Sequence, residues 1–287
     1  MNEIDVLEKL KKQLKTVNQN LKNKDFSPEK MQRNHPKQAP YYLKCVEKNL
    51  YKGIDHDKLD SRANAIKSSA AMILNTLGKS EFYFNGKKYG QIEYEEELKA
   101  IKTDERKHNA HLDAKFVSYD GKEINFVEAK FLEWFSSPKN LSEVYLSRAR
   151  YFPETGKTAD IFIKFFESLL LNPRKKDKEN RLVGKYRKYD AIQMTIHILG
   201  IYNFYKSKEY NGEKIKLLNI VWDNDSCSQY KAEKKQADEY LAIAREKLCP
   251  LFHGNFEIEY VPYSGFYDSI SYDDPDRKKY LKRYILD

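Results

Sequence analysis

The sequence predicts an α/β protein in which helices flank a mixed central sheet. An Asn-Gly and an Asp-Gly dipeptide, at 85–86 and 120–121, each separate two strand-like segments. They indicate hairpins, because glycine tolerates the positive φ of a two-residue turn. The aliphatic run at 215–222 has the density of a buried strand, and 256–261 is a further strand-like segment. Apolar residues at helical spacing precede and separate these strands, so helices should alternate with them.

The N-terminal residues predict a helical extension ahead of the sheet. Apolar side chains recur at spacings of three and four in residues 1–23, the pattern of an amphipathic helix with lysines on its outer face. Three prolines among polar residues indicate an irregular linker at 25–40. The alanine-rich segment 59–77, which Gly78 follows, is expected to be the first core helix.

The main domain is expected to span residues 55–287, after an N-terminal extension and linker at 1–54. Its region 136–188 contains three prolines and a basic run, so we expect an insertion there with substrate-reading loops. The predicted elements are a hairpin at 81–89, a strand at 91–98 that could also begin a helix, a hairpin at 111–131, a helix at 189–200 closed by Gly200, a strand at 215–222, a helix at 232–248 and a final strand at 256–261.

The hairpin at 111–131 places an acid on one strand and Glu-Ala-Lys on the other. Side chains alternate along a strand, so Asp113, Glu128 and Lys130 can converge on one face. Ionised groups are costly to bury unpaired, which favours a divalent cation between the acids, and hard oxygen ligands suit Mg²⁺. A surface hairpin with cross-strand ion pairs is the competing interpretation. The apolar run at 126–131 favours a buried central strand instead.

These residues resemble the core motif of the PD-(D/E)XK nuclease superfamily, an acid on one strand followed by (D/E)-X-K on the next. Asp113 and the tripeptide 128–130 match it, and Leu112 stands where the family name has proline. The chain is also similar to bacterial restriction-endonuclease-like proteins in its N-A-H-L-D-A-K strand, its E-A-K-F strand and its Y-D-A-x-Q helix. That similarity covers roughly residues 55–265.

The resemblance implies a restriction-endonuclease-like core, an α-β-β-β-α-β mixed sheet flanked by helices, with an N-terminal helical extension. It implies a magnesium-dependent DNA endonuclease of restriction or defence type, in which Mn²⁺ can substitute. Asp113 and Glu128 would be metal ligands together with the backbone carbonyl of Ala129, and Lys130 would orient or deprotonate the attacking water. Gln193 matches the glutamine that many members place beside the active site.

Several residues near the motif have more than one interpretation. An upstream glutamate often completes such a metal site, and Glu95 is favoured among the four at 93 and 95–97, although a lysine-paired surface also explains them. Gln193 could instead cap backbone groups of its helix. His197, four residues later on the same face, is expected to pack or to reach phosphate. Lys115 is a candidate phosphate contact, and a zinc site of His108, His111 and Asp113 is the remaining metal alternative.

Composition favours a polyanionic partner. Lysine and arginine total 52 against 43 acids, a formal net charge of +9, and 22 tyrosines add groups that can stack on bases. A lysine-rich solvated surface would have the same composition. The basic run Arg174-Lys175-Lys176 is a candidate DNA contact.

Cysteine usage and hydropathy exclude other classes. The three cysteines lie far apart, which excludes a zinc ribbon and a disulfide framework and favours a reducing cytoplasm. No membrane span or signal peptide is expected.

Three other functions remain open: a repair or recombination nuclease of the same fold, a non-cleaving nucleic-acid-binding protein on a nuclease scaffold, and a structural α/β domain with coincidental ion pairs. A homodimer is a further expectation, because cutting both strands usually requires two active sites and the N-terminal helix offers a symmetric contact.

Overall fold

A seven-stranded mixed sheet forms the centre of the protein. The computed structural model describes residues 3–20, 68–78, 81–103, 105, 108–135, 140–153, 156–174, 176–177 and 182–286. The strands are β1 Phe82–Phe84, β2 Lys87–Leu98, β3 Ala110–Ser118, β4 Glu123–Lys130, β5 Asn140–Leu141, β6 Leu182–Val183, β7 Lys214–Val221, β8 Phe256–Pro262 and β9 Ile270–Ser271. The central sheet has the order β8-β7-β4-β3-β2-β1-β9, and β5 pairs with β6 separately. The strands from β1 to β4 are antiparallel neighbours, whereas β4, β7 and β8 run parallel.

Helices pack on both faces of this sheet. The described residues form α1 Glu3–Asn20, α2 Ser69–Leu77, α3 Ala159–Ser168, α4 Ala191–Tyr205, α5 Ser228–Lys247, α6 Tyr263–Ser269 and α7 Pro275–Leu281. On β4, Ile124 and Phe126 enter a core with α3, α4 and most of α5, while Val127 and Ala129 enter a second core with α1, α2, α6 and α7. The predicted α/β class with a mixed sheet is confirmed. No helix in the described part of the chain is long and apolar enough to cross a membrane.

The sheet is strongly curled. Only the seven residues of α6 separate edge strand β8 from β9, which pairs with β1 at the opposite edge. A helix of that length spans about 10 Å. Seven flat strands about 4.8 Å apart would put their edges about 29 Å apart. The prediction that 256–261 is the final strand is therefore wrong, because β9 follows it and completes the other edge.

The motif hairpin forms as predicted, but its turn is longer. Strand β3 ends at Ser118 and β4 begins at Glu123, so four residues connect them where a two-residue turn was predicted. Gly121 has a φ of 68°, and its N–H donates to the Ser118 carbonyl at 2.8 Å. The Ser118 hydroxyl donates to Asp120, which also accepts from the Lys122 N–H. These side-chain bonds stabilise the longer turn.

Gly200 was predicted to close its helix, but it lies inside the helix. Helix α4 continues to Tyr205. A Cβ on Gly200 would lie 2.7 Å from the Ala110 Cβ and 3.1 Å from the Leu98 Cβ. The glycine is therefore needed where α4 approaches β2 and β3 closely, a tertiary contact that replaces its predicted role as a helix stop.

The two helices predicted near the N-terminus are confirmed where the structure describes them. Leu7, Leu10 and Leu14 of α1 are buried, together with Val6, against the C-terminal part of the chain. The face that could have formed a symmetric contact is thus covered within the same chain. Helix α2 begins after Ser68, whose hydroxyl accepts the Ala71 N–H, and ends at Gly78 with a φ of 62°. The linker at 25–40 and the first residues of the predicted helix at 59–77 lie outside the described residues.

The segment 136–188 contains a helix that the sequence analysis did not predict. Helix α3 buries Phe162, Phe165 and Phe166 in the first core, and the small sheet of β5 and β6 packs beside it. Part of the expected insertion is therefore a packed element and does more than supply loops.

Candidate active site

The site begins where β3 and β4 separate. Their ladder runs as far as the pair Ala114 and Val127, and continuing the register would place Asp113 opposite Glu128. Instead of a ladder bond, the Ala129 N–H donates to the Asp113 Oδ2 at 2.6 Å. The carboxylate of Asp113 is thereby held over the end of β4, beside Glu128.

Two nitrogen groups hold the Glu128 carboxylate. Lys130 Nζ lies 2.6 Å from Oε1, and His197 Nε2 lies 2.9 Å from Oε2. The side chains of Glu128 and His197 are 4% and 2% exposed, so this contact is inside the protein. The Asn219 side-chain amide on β7 donates to the Glu128 carbonyl at 3.2 Å, which fixes the backbone as well.

Helix α4 supplies two side chains to the site, Gln193 and His197, from one face. The Asp190 carboxylate caps the helix by accepting the Gln193 N–H at 3.0 Å. The Gln193 side chain is directed elsewhere, and its Oε1 accepts a hydrogen bond from Lys130 Nζ at 2.7 Å. Residues four apart share a helix face, which explains why His197 reaches Glu128 one turn later. The structure thus brings Gln193 to the motif lysine.

The charges at the site are unequal. Burial, together with the neighbouring charge of Glu128, raises the pKa of Asp113 well above its usual range. Burial would raise the pKa of Glu128 too, but Lys130 and His197 outweigh it and lower this pKa to about 2. Burial opposes the charge of Lys130, yet the Glu128 carboxylate raises its pKa. At neutral pH the site therefore contains an ionised Glu128–Lys130 pair with a second carboxyl beside it.

Among the upstream glutamates, Glu95 is the one that faces Asp113. In the register between β2 and β3, the residues on either side of Glu95 pair with the residues on either side of Asp113, which places the two acids opposite each other. Glu95 has a φ of 56°, which is rare within a strand and costs about 1–3 kcal/mol. Its charge contributes to the raised pKa of Asp113. Lys115, the predicted phosphate contact, instead pairs with Glu93 at 3.2 Å and Glu96 at 3.4 Å.

The donor set fits magnesium. Mg²⁺ retains several waters and is usually held by one or two carboxylates, and Asp113 and Glu128 provide those, with Glu95 nearby. Within the described residues, no three His, Cys, Asp or Glu side chains are grouped closely enough to hold a metal ion by themselves. This result applies to the zinc alternative as well as to the acids, and His108 in particular lies beside Glu105, with 3.7 Å between Nε2 and Oε2.

The predicted basic run is only partly described. Arg174 is exposed, Lys176 Nζ pairs with Glu143 at 2.7 Å, and Lys175 lies outside the described residues. Lys176 bridges to Leu182 beside the β5–β6 sheet. No described contact connects Arg174 or Lys176 to the motif acids.

One buried acid near the site was missed by the sequence analysis. Glu233 on α5 is 3% exposed, and its Oε2 accepts a hydrogen bond from the Tyr260 hydroxyl at 2.6 Å. Burial raises the pKa of Glu233 to about 8, which the nearby Lys130 charge only partly offsets. The available signal was a glutamate within the apolar stripe formed by Tyr230, Ala237 and Tyr240.

No family model, curated protein or solved structure matched the chain. What the site can do therefore follows from its own geometry. It combines two adjacent carboxylates, a lysine held by a glutamine, and a histidine that holds one of the acids.

Proposed function

We propose that the protein is a magnesium-dependent endonuclease that hydrolyses DNA phosphodiester bonds, in a restriction or defence role. One observation carries the proposal: Asp113, Glu128, Lys130 and Gln193 come from three separate elements, and hydrogen bonds or an ion pair connect them at one end of β4. Coincidental surface ion pairs would not be buried, and they would not recruit a glutamine from a distant helix.

The side chains have distinct roles in this proposal. Asp113 and Glu128 would hold the metal, with the Ala129 carbonyl and Glu95 as further donors, and magnesium there supplies water activation and neutralises charge on the phosphate. Lys130 is protonated beside Glu128, so it orients the attacking water and offsets transition-state charge instead of removing a proton. Gln193 fixes the Lys130 ammonium, and His197 fixes the Glu128 carboxylate.

The order of elements supports the same proposal. Helix α2 is followed by the antiparallel strands β2, β3 and β4, then by α4 and by β7, which lies parallel to β4. With β1, α3 and the small β5–β6 sheet counted as additions, these elements are consistent with the α-β-β-β-α-β order that the superfamily resemblance implies. A decayed, non-cleaving scaffold would be expected to lack an acid or the lysine. This chain retains all three: Glu128 and Lys130 are paired, and Asp113 bonds the N–H of Ala129 between them.

The test is conversion of supercoiled plasmid with Mg²⁺ or with EDTA, using two matched variants. Glu128→Gln should remove cleavage, because it replaces a metal ligand. Glu123→Gln, the same substitution at the other end of β4, is the control and should cleave like the wild type. An inactive wild-type protein, or two equally active variants, would overturn the proposal.

A further inference from the structure

We infer that the loop before α4 and the first turns of α5 form one basic surface that binds the phosphate backbone of duplex DNA beside the candidate active site. The inference rests on the proposed function and says where the substrate lies. This α4–α5 basic surface consists of Lys185, Arg187, Lys188, Lys231, Lys234 and Lys235.

Hydrogen bonds join the two segments. The Gln236 side-chain oxygen on α5 accepts the N–H groups of Lys188 at 2.8 Å and of Tyr189 at 3.2 Å. These bonds fix the loop immediately before the N-terminus of α4. Gln193, which contacts Lys130, lies two residues after this N-terminus. Glu233, one turn earlier on α5, also interacts with the charge of Lys130. Both basic segments are therefore tied to the active site.

The cations of this surface have no carboxylate partner among the described residues. Five of the six side chains are exposed and Lys188 is half-buried. Elsewhere, Lys115, Lys176 and Lys214 each pair with a glutamate. The acid that lies between the basic residues of α5, Glu233, is buried and bonded to the Tyr260 hydroxyl, so it cancels little of their charge.

The opposite side of the site has the opposite charge. Strand β2 presents Glu95 to solvent next to Asp113, and this charge would repel a phosphate backbone, whereas Glu93 is paired with Lys115. The N-terminus of α4 adds the positive end of a helix on the basic side. Among the described residues around the motif acids, the α4–α5 basic surface is therefore the side that attracts a phosphate chain. Asp238 and Glu239, on the next turn of α5, mark its end.

The experiment compares two triple variants with equal charge change. Lys231→Gln/Lys234→Gln/Lys235→Gln alters the surface. Lys99→Gln/Lys102→Gln/Lys208→Gln alters three exposed lysines at the other end of α4, where Asn203 bonds the Lys99 carbonyl. A helix of 15 residues separates the two groups by roughly 22 Å.

Binding of a mixed-sequence duplex of about 30 base pairs is measured by fluorescence anisotropy in EDTA at several salt concentrations. The surface triple should bind at least about 10-fold more weakly. Its plot of log K against log salt concentration should become less steep, with the slope smaller in magnitude by about 2 to 3, since each lost phosphate contact removes roughly 0.9. The control triple should stay within about 3-fold of the wild type, and both triples should melt like the wild type.

Equal weakening by both triples, or none by the surface triple, would overturn the inference. So would polyglutamate that binds as tightly as DNA through the same lysines, since that result identifies an acidic protein partner. The proposed function is judged separately, by plasmid cleavage with Mg²⁺. A wild-type protein that does not cleave but binds DNA through these lysines would refute the proposed function alone.

Discussion

His197 is the most informative residue to remove, because it holds a carboxylate that is otherwise almost enclosed. Its Nε2 lies 2.9 Å from Glu128 Oε2, and both side chains are at most 4% exposed. In His197→Ala, Oε2 loses this partner in a place that water does not reach. Leaving a buried charged acceptor without its close nitrogen partner costs about 2 kcal/mol, and the cavity left by the ring adds about 1 kcal/mol. We expect a loss of about 3 kcal/mol in the free energy of unfolding.

The same substitution should weaken metal binding, since Glu128 would be free to rotate about its remaining contact with Lys130. Partners that orient a metal ligand typically contribute 10- to 100-fold in affinity. His197→Gln retains an N–H donor on the same helix face and should recover at least half of both losses. Urea denaturation measures the stability, and calorimetric titration with Mn²⁺ measures the affinity.

A double-mutant cycle separates the specific contact from the lost volume. If His197 stabilises the protein through Glu128, then His197→Ala should cost at least about 1 kcal/mol less when Glu128 is already glutamine. Equal costs in the two backgrounds would refute the reasoning and would make His197 an ordinary core residue. Unchanged Mn²⁺ affinity in His197→Ala would refute its positioning role.

Three further predictions follow from the site. Gln193→Ala should lower the cleavage rate roughly 10- to 100-fold, about 1.4 to 2.7 kcal/mol, with little change in melting temperature; an unaltered rate with reduced stability would make Gln193 structural. Mg²⁺ and Mn²⁺ should support cleavage and Ca²⁺ little of it, whereas a requirement for stoichiometric Zn²⁺ would contradict the site. Because folding raises the pKa of Glu233 from 4.5 to about 8, its ionisation removes stability as the pH rises through this window. Glu233→Gln should therefore be more stable than the wild type at pH 9 and equal to it below about pH 4.5. Thermal melts of both proteins across this range measure the difference in stability, and a difference that does not change with pH would disprove this.

Local patterns predicted the elements that form the site. Alternation along β3 and β4 was enough to bring Asp113 towards Glu128, because a hairpin register follows from its turn region even when the turn length is misjudged. The aliphatic density of 215–222 predicted β7, and 256–261 was predicted as a strand, which is β8, but the parallel pairing of these strands was not predicted. A helix spacing of four placed Gln193 and His197 on one face, although it could not show which acid or lysine they would meet.

The predictions failed where distant segments determine the outcome. Gly200 has the composition of a helix stop, but Ala110 lies against it and only the folded chain shows this. The two-residue strand β9 carries no periodicity of its own. The left-handed backbone of Glu95 and the burial of Glu233 likewise depend on neighbours that are distant in sequence.

The central claim is that two acids and a lysine at the end of β4 hydrolyse phosphodiester bonds with a divalent metal. It is tested most directly by plasmid cleavage with Asp113→Ala, Glu128→Ala and Lys130→Ala beside the wild type. The wild-type protein should nick or linearise supercoiled DNA with Mg²⁺ and stop in EDTA. Each variant should lose at least about 1,000-fold in rate, about 4 kcal/mol of transition-state stabilisation, while remaining folded. Full magnesium-dependent cleavage by any two of the variants would contradict the account.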